Sequence, residues 1–194
     1  MICRHALGLT AAAAATTSHR LERVTLHHTA VELGANHHAP ARLRGHQRYH
    51  LDQGWADVAY HYAVDLRGNV YELRDPDQPG DTFTDYDPSG HLLVVCEGNY
   101  DLEQPSEAML DGIAALLAAA ADTHGVDPAT LTGHRDHASL SCPGDALQAR
   151  LPDLRDVAAA RRRDRPAELV TVCGEDAERR VARIEAGEHE ETHP

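Results

Sequence analysis

Short runs with strand-like hydrophobic patterns recur along the chain. They lie at residues 22–26, 58–65, 70–73, 91–97 and 131–133. In the second run, strict alternation predicts one face carrying Val58, Tyr60, Tyr62 and Val64 and an opposite face carrying Ala59, His61 and Ala63. The chain therefore predicts five short strands.

Helical patterns fall between and after these runs. They occupy residues 41–52, residues 106–122 and the stretch that begins at Pro143. The Ser106 hydroxyl is suited to cap the second helix and Gly125 to end it. Proline removes a backbone donor, so the last helix should be interrupted or redirected at Pro152.

Strands that alternate with helices, together with one hairpin at residues 67–69, predict an α/β (α+β) fold with a mixed central β-sheet flanked by helices. We expect one domain over residues 20–160. Residues 1–19 form an N-terminal arm in this interpretation. Residues 161–194 form a charged C-terminal tail, an appendage with a short helix near residues 177–186 and a mobile end.

Composition narrows the class of protein. With 194 residues, 42% hydrophobic content and 4% aromatic content, the core must rely on Leu, Val and Ala. The net charge of -13 argues against a nucleic-acid partner, because phosphate binding requires basic patches. No apolar run approaches the roughly 18 residues that a membrane span requires. We expect a monomer.

Residues 1–17 have only a weak likeness to a secretory signal. Arg4 and an alanine run at residues 11–15 are present, but alanine makes a poor hydrophobic region. An ordinary arm lying against the domain is the preferred interpretation, which leaves the compartment open.

The four cysteines, at positions 3, 96, 142 and 173, are too widely spaced for a small disulfide-rich scaffold. Cys96 lies within an apolar run and is best interpreted as a buried strand thiol. A disulfide is possible, but the spacing does not support one.

Three residues could together hold a catalytic metal. His27 and His134 each follow a strand, and Cys142 precedes the Pro-Gly-Asp start of a helix, whose N-terminus would favour the thiolate. Two imidazoles and a thiolate suit zinc and leave its fourth position open. Spacing alone does not select these two histidines from the 15 in the chain, or this cysteine from the four.

Four blocks in the same order resemble the N-acetylmuramoyl-L-alanine amidase family, which includes the peptidoglycan recognition proteins and a phage-type lysozyme. The likeness covers roughly residues 20–160. The blocks are His27-His28-Thr29-Ala30, Gly54 to Tyr62, Gly68-Asn69-Val70-Tyr71-Glu72, and Gly133-His134-Arg135-Asp136 with Cys142-Pro143-Gly144.

The resemblance implies a role for each matching position. His27, His134 and Cys142 would be Zn²⁺ ligands, with His28 only a neighbour of the site. Tyr60 would be the catalytic partner that faces the metal. His61 would remain a core histidine, because alternation turns it to the opposite face.

The implied reaction is zinc-dependent hydrolysis of the amide between the lactyl group of N-acetylmuramic acid and the L-alanine of the stem peptide. Metal-bound hydroxide would attack the lactyl carbonyl, and zinc with Tyr60 would stabilise the oxyanion. The implied partner is peptidoglycan or a muropeptide fragment, which favours an extracellular or cell-wall-facing location.

One position departs from the family. Active relatives commonly carry Lys or Thr two residues before the cysteine ligand, whereas this chain has Leu140. Ser139 and Ser141 flank it as possible substitutes. Glu97 is a second candidate acid or base, although a surface charge at a strand end is an equally good interpretation.

Three rival functions remain open at this point. Leu140 favours a non-catalytic or weakly active peptidoglycan receptor of the same fold, whereas retention of the cysteine favours the enzyme. The phage-type relative also binds a polymerase, which nothing in this sequence requires. A structural or storage metal site would need a fourth protein ligand.

Overall fold

The structure is a computed structural model that describes residues 1–11, 18–164 and 169–188. Within these ranges a five-stranded sheet has the order β3-β2-β4-β1-β5. Its strands are β1 Arg23–His28, β2 Tyr62–Val64, β3 Val70–Glu72, β4 His91–Cys96 and β5 Thr132–Gly133. The β2–β3 pair is antiparallel and the other pairs are parallel, which confirms the predicted mixed sheet.

Helices cover both faces of the sheet. They are α1 Ala39–Asp52, α2 Glu107–His124, α3 Asp145–Gln148, α4 Leu151–Asp164 and α5 Gly174–Glu185. The predicted caps of α2 are confirmed: the Ser106 hydroxyl accepts a hydrogen bond from the Met109 N–H, and Gly125 is left-handed. None of the helices in the described ranges is long and apolar enough to cross a membrane.

Two buried clusters lie on opposite faces of the sheet. Val24 and Leu26 of β1 pack with Ile113 of α2 on one face. On the other face, Val95 of β4 packs with Leu43 of α1. Side chains of a strand alternate between faces, so His27 lies on the same face as Val95, with which it pairs across the sheet.

The predicted strand at residues 58–65 is shorter than expected. Only Tyr62–Val64 forms a strand, and the chain bends at His61. The His61 ring takes part in the backbone pairing itself, because its Nδ1 accepts from the Leu93 N–H and its Nε2 donates to the Gln78 carbonyl. Tyr60 therefore packs on the Ala63 face, and the prediction that it shares a face with Tyr62 is wrong.

The helix after Cys142 also differs from the prediction. Pro143 precedes α3, which begins at Asp145 and ends after four residues. The chain is redirected at residues 149–150, just before Pro152 rather than at it. Pro152 lies in the first turn of α4, where its missing N–H has no intrahelical partner to lose.

The chain beyond residue 160 is not simply an appendage. Helix α5 buries Ala177, Val181 and Ile184 against the N-terminal segment and α1. The prediction of an appendage is thus wrong for residues 169–188, whereas a helix near residues 177–186 is confirmed. The predicted mobile end at residues 189–194 and residues 12–17 of the weak signal lie outside the described residues, and the domain boundaries stay a prediction.

A disulfide joins the N-terminal segment to the residue that directly precedes α5. Cys3 and Cys173 are bonded, with their Cα atoms 5.1 Å apart. Residues 1–11 lie against the domain, where the Ile2 N–H donates to the Val70 carbonyl and the Val172 N–H to the Met1 carbonyl. The spacing of the cysteines gave no indication of this pair, because only the folded chain brings residues 3 and 173 together.

We expect the Cys3→Ser/Cys173→Ser double variant to unfold with a free energy about 2–5 kcal/mol lower than that of the wild type, since the disulfide restricts the unfolded chain. Urea unfolding followed by circular dichroism measures the difference. Dithiothreitol should destabilise the wild type by a similar amount and leave the double variant unchanged. An equal loss in both proteins would contradict the assignment.

Candidate metal centre

Strand pairing places the two predicted histidine ligands side by side. In the β1–β5 pair, Leu26 lies opposite Gly133, so the next residues, His27 and His134, emerge together at the carboxyl ends of their strands. Their ring centroids are 4.4 Å apart. The first part of the predicted cluster is therefore a direct result of parallel pairing.

Cys142 reaches this point because Gly133 has no side chain. A Cβ atom there would lie 2.7 Å from Cδ of Pro143 and still closer to the Gln148 side chain. The Arg135 N–H donates to the Cys142 carbonyl at 2.7 Å, which ties the loop to the turn that carries His134. Close backbone packing thus holds the thiol beside the imidazoles.

The three side chains form a compact group of potential ligands. One ligand atom from each of His27, His134 and Cys142 lies within 4.8 Å of the others, and no second group of this kind occurs in the described ranges. Cys142 Sγ lies 3.8 Å from His27 Nδ1. In a tetrahedral site with the usual zinc bond lengths these atoms would be about 3.5 Å apart. The residues therefore fit zinc in type, number and separation.

Burial sets the protonation of the imidazoles. It lowers the pKa of His27 well below its ordinary value, and the neighbouring His134 lowers it further. It also lowers the pKa of His134 to about 4. Both rings are neutral at pH 7, the form that binds a metal.

The thiol behaves differently from the sequence-based expectation. Burial raises the pKa of Cys142 to about 12, although the His28 N–H and Arg135 oppose this shift. Helix α3 begins three residues later and has only four residues, so stabilisation of the thiolate by a helix N-terminus does not apply in the form predicted. In the absence of metal the residue is a thiol at neutral pH.

A loop residue that the sequence did not identify orients one of the imidazoles. Thr84 Oγ1 lies 3.1 Å from His134 Nε2, and Thr82 Oγ1 lies 2.7 Å from Thr84 Oγ1. Hydrogen bonds to the second ring nitrogen commonly fix a metal-binding histidine. The loop at residues 75–89 has no hydrophobic periodicity, so no sequence signal pointed to Thr84.

Tyr60, which the resemblance makes the catalytic partner, lies beside His27. Its ring centroid is 5.2 Å from that of His27 and 5.9 Å from that of His50. Burial, with smaller contributions from Cys142 and Tyr86, raises the pKa of Tyr60. The phenol stays protonated across the working pH range and can donate a hydrogen bond.

Glu97 is buried, so its interpretation as a surface charge is wrong. The side chain is 0% exposed, and its carboxylate oxygens lack hydrogen-bond donors among the described residues. His46 Nε2 lies 3.5 Å from one oxygen and Arg42 Nε 4.0 Å from the other. Its negative charge contributes to the raised pKa of Tyr60.

The flanking positions offer no evident replacement for the missing Lys or Thr. Leu140 is half-buried, while Ser139 and Ser141 are exposed. The Ser141 hydroxyl hydrogen-bonds Asp101 and thereby lowers the pKa of that carboxyl. His28 turns away from the cluster, and its Nδ1 accepts from the Tyr100 N–H at 3.2 Å.

A profile of N-acetylmuramoyl-L-alanine amidases matches residues 17–145. This match extends over more than half of the chain. The chain belongs to the N-acetylmuramoyl-L-alanine amidase family.

Individual relatives agree with the family assignment. An N-acetylmuramoyl-L-alanine amidase of Sus scrofa is 39% identical over 110 residues, which are 55% of this chain and 18% of that protein. The chain thus spans less than a fifth of that relative's length. The crystal structure of Drosophila peptidoglycan recognition protein SD is 29% identical, with a TM-score of 0.70 over 76% of this chain and 89% of the other.

The chain is also similar to a chain in the crystal structure of tracheal cytotoxin bound to the ectodomain complex of peptidoglycan recognition proteins LCa and LCx. It is 27% identical, with a TM-score of 0.69 over 77% of this chain and 93% of the matched chain. The amidase family thus includes relatives named as enzymes and relatives named as recognition proteins. The assignment of roles to His27, His134, Cys142 and Tyr60 stays a prediction.

We expect the zinc affinity of this family member to rise about tenfold per pH unit between pH 6 and 8. The histidines are already neutral there, whereas Cys142 must lose one proton to bind, so higher pH favours the complex. Competition with a chromophoric chelator measures the affinity.

Cys142→Ser should bind zinc much more weakly, and Cys96→Ala, which removes the other buried free thiol, should keep the wild-type slope. A wild-type affinity that does not change with pH would contradict the predicted proton release.

Proposed function

We propose that this chain is a zinc-dependent N-acetylmuramoyl-L-alanine amidase, which hydrolyses the amide between the lactyl group of N-acetylmuramic acid and the L-alanine of the stem peptide. The convergence of His27, His134 and Cys142 beside Tyr60 carries the proposal. Membership of the amidase family supports it.

The three clustered side chains would hold the metal. Zinc bound by three protein ligands would supply Lewis acidity at its fourth position, which polarises a carbonyl and promotes ionisation of water near neutral pH. The described residues offer three clustered ligands rather than four, which favours this proposal over a structural or storage site.

Tyr60 would stabilise the charge that develops on the lactyl carbonyl oxygen. Its hydroxyl remains protonated because burial raises its pKa, so it can act as a hydrogen-bond donor throughout the reaction. Its ring lies beside that of His27, one of the three residues that would hold the metal.

The substrate class follows from the family. The LCa–LCx relative binds tracheal cytotoxin, and the Sus scrofa relative is named for the amidase reaction. We therefore propose peptidoglycan or muropeptide fragments as the ligand. The Cys3–Cys173 disulfide favours an oxidising compartment, which agrees with a cell-wall-facing or extracellular location.

A peptidoglycan receptor without catalysis is the second candidate. Leu140 favours it, because no polar side chain occupies the position that carries Lys or Thr in active relatives. Retention of the cysteine beside both histidines favours the enzyme. A receptor would bind the same fragments and release no stem peptide.

Zinc-loaded protein should release L-alanine-terminated stem peptide from a defined muropeptide, and removal of zinc by a chelator should abolish the release. Cys142→Ala should lose both zinc and cleavage, since it removes one of only three ligands. Liquid chromatography with mass spectrometry detects the product. Binding of the muropeptide without any cleavage would establish the receptor instead.

Tyr60→Phe should retain zinc and lower kcat by about 100-fold, because one donor to the developing oxyanion is lost. Steady-state kinetics and metal analysis of the same preparation test this. An unchanged kcat would remove Tyr60 from the mechanism.

A further inference from the structure

Tyr86 lies next to His134 at the candidate metal centre, whereas Tyr60 lies next to His27. It belongs to the loop that also carries Thr84, the partner of His134. The ring centroids of Tyr86 and His134 are 5.1 Å apart, and those of Tyr60 and His27 are 5.2 Å apart. Each candidate imidazole ligand therefore has one tyrosine ring beside it.

Two further histidines pack against the Tyr86 ring. It stacks on His137 with a centroid separation of 5.5 Å and an interplanar angle of 24°, and it lies 5.3 Å from His91. These rings are themselves anchored, His91 by the Thr25 hydroxyl at 2.7 Å and His137 by that of Thr132 at 2.9 Å. The Tyr86 ring thus packs within a fixed aromatic pocket.

The hydroxyl of Tyr86 is buried, yet it has no hydrogen-bond partner among the described residues. The ring is partly exposed, but the oxygen is inaccessible to solvent and forms no hydrogen bond with any described residue. Buried hydroxyls normally find a partner, and an unpaired one costs about 1–3 kcal/mol. An oxygen that is supplied only when a ligand binds would explain this arrangement.

The phenols of Tyr60 and Tyr86 share an electrostatic neighbour, Cys142. After burial, the electrostatic interaction with Cys142 contributes most to the raised pKa of Tyr86, and both Cys142 and Tyr86 raise the pKa of Tyr60. The thiol and the two phenols are therefore close enough to influence one another. The unpaired Tyr86 hydroxyl thus belongs to a ring that contacts the candidate ligand His134 and lies in the electrostatic surroundings of Cys142.

We propose that Tyr86 is a second catalytic hydrogen-bond donor, whose hydroxyl contacts the substrate carbonyl oxygen together with that of Tyr60. This inference rests on the proposed amidase function. It supplies a donor that Leu140 cannot provide, from the loop at residues 75–89 rather than from the segment before Cys142. No covalent bond to Tyr86 is involved, and its proton stays on the phenol.

The test compares Tyr86→Phe with Tyr62→Phe as a matched control. Tyr62 loses the same atom in the control, but its hydroxyl contacts His124 and its ring packs on the opposite face of the sheet. Tyr86→Phe should lower kcat for muropeptide cleavage by about 100-fold with little change in KM, zinc content or thermal midpoint. The control should match the wild type.

A second measurement does not depend on cleavage. Acetohydroxamate, a small oxygen-donor ligand, is titrated into cobalt(II)-loaded protein and followed by visible absorption. Loss of one hydrogen bond should weaken its binding to Tyr86→Phe by about 3- to 10-fold, with unchanged cobalt affinity. Acetohydroxamate binding equal to that of the wild type, or a parallel loss of cobalt affinity, would overturn the proposed role.

The two experiments separate the two proposals. If the wild type fails to cleave muropeptides, the amidase function fails and the hydroxamate titration alone decides whether Tyr86 is a donor at the centre. If the wild type cleaves and Tyr86→Phe does so equally well, the function stands and the role of Tyr86 is excluded.

Discussion

The parallel pairing of β1 with β5 determines where the candidate chemistry lies. Leu26 opposite Gly133 brings His27 and His134 together, and the missing side chain of Gly133 lets Pro143 and Cys142 approach. A side chain at position 133 would push this segment away. The imidazoles and the thiol are thus positioned by backbone contacts, which are more rigid than contacts between long side chains.

Burial gives this arrangement its chemical character. The same exclusion of water keeps both imidazoles neutral, the Cys142 sulfur protonated and Tyr60 a donor. The imidazoles are therefore ready to bind a metal, whereas the thiol binds only by releasing a proton. The loop that carries Thr84 and Tyr86 contacts His134, so it contributes to the site although it has no regular structure.

The sheet, α1 and α2 could be predicted from the sequence because hydrophobic periodicity indicates them directly. The three clustered side chains could be predicted because they lie in the family blocks. The sequence was insufficient where one side chain interferes with a pattern. His61 hydrogen-bonds the backbone and ends the alternation, which moves Tyr60 to the other face. The buried state of Glu97, the Cys3–Cys173 bond and the packing of α5 depend on contacts between distant segments, which no local pattern records.

X-ray absorption at the zinc edge of the loaded protein tests the central claim most directly, since it reports the atoms bound to the metal. One sulfur at about 2.3 Å and two or three nitrogen or oxygen atoms at about 2.0–2.1 Å are predicted for a centre of His27, His134 and Cys142 with one open position. A shell without sulfur would contradict the account.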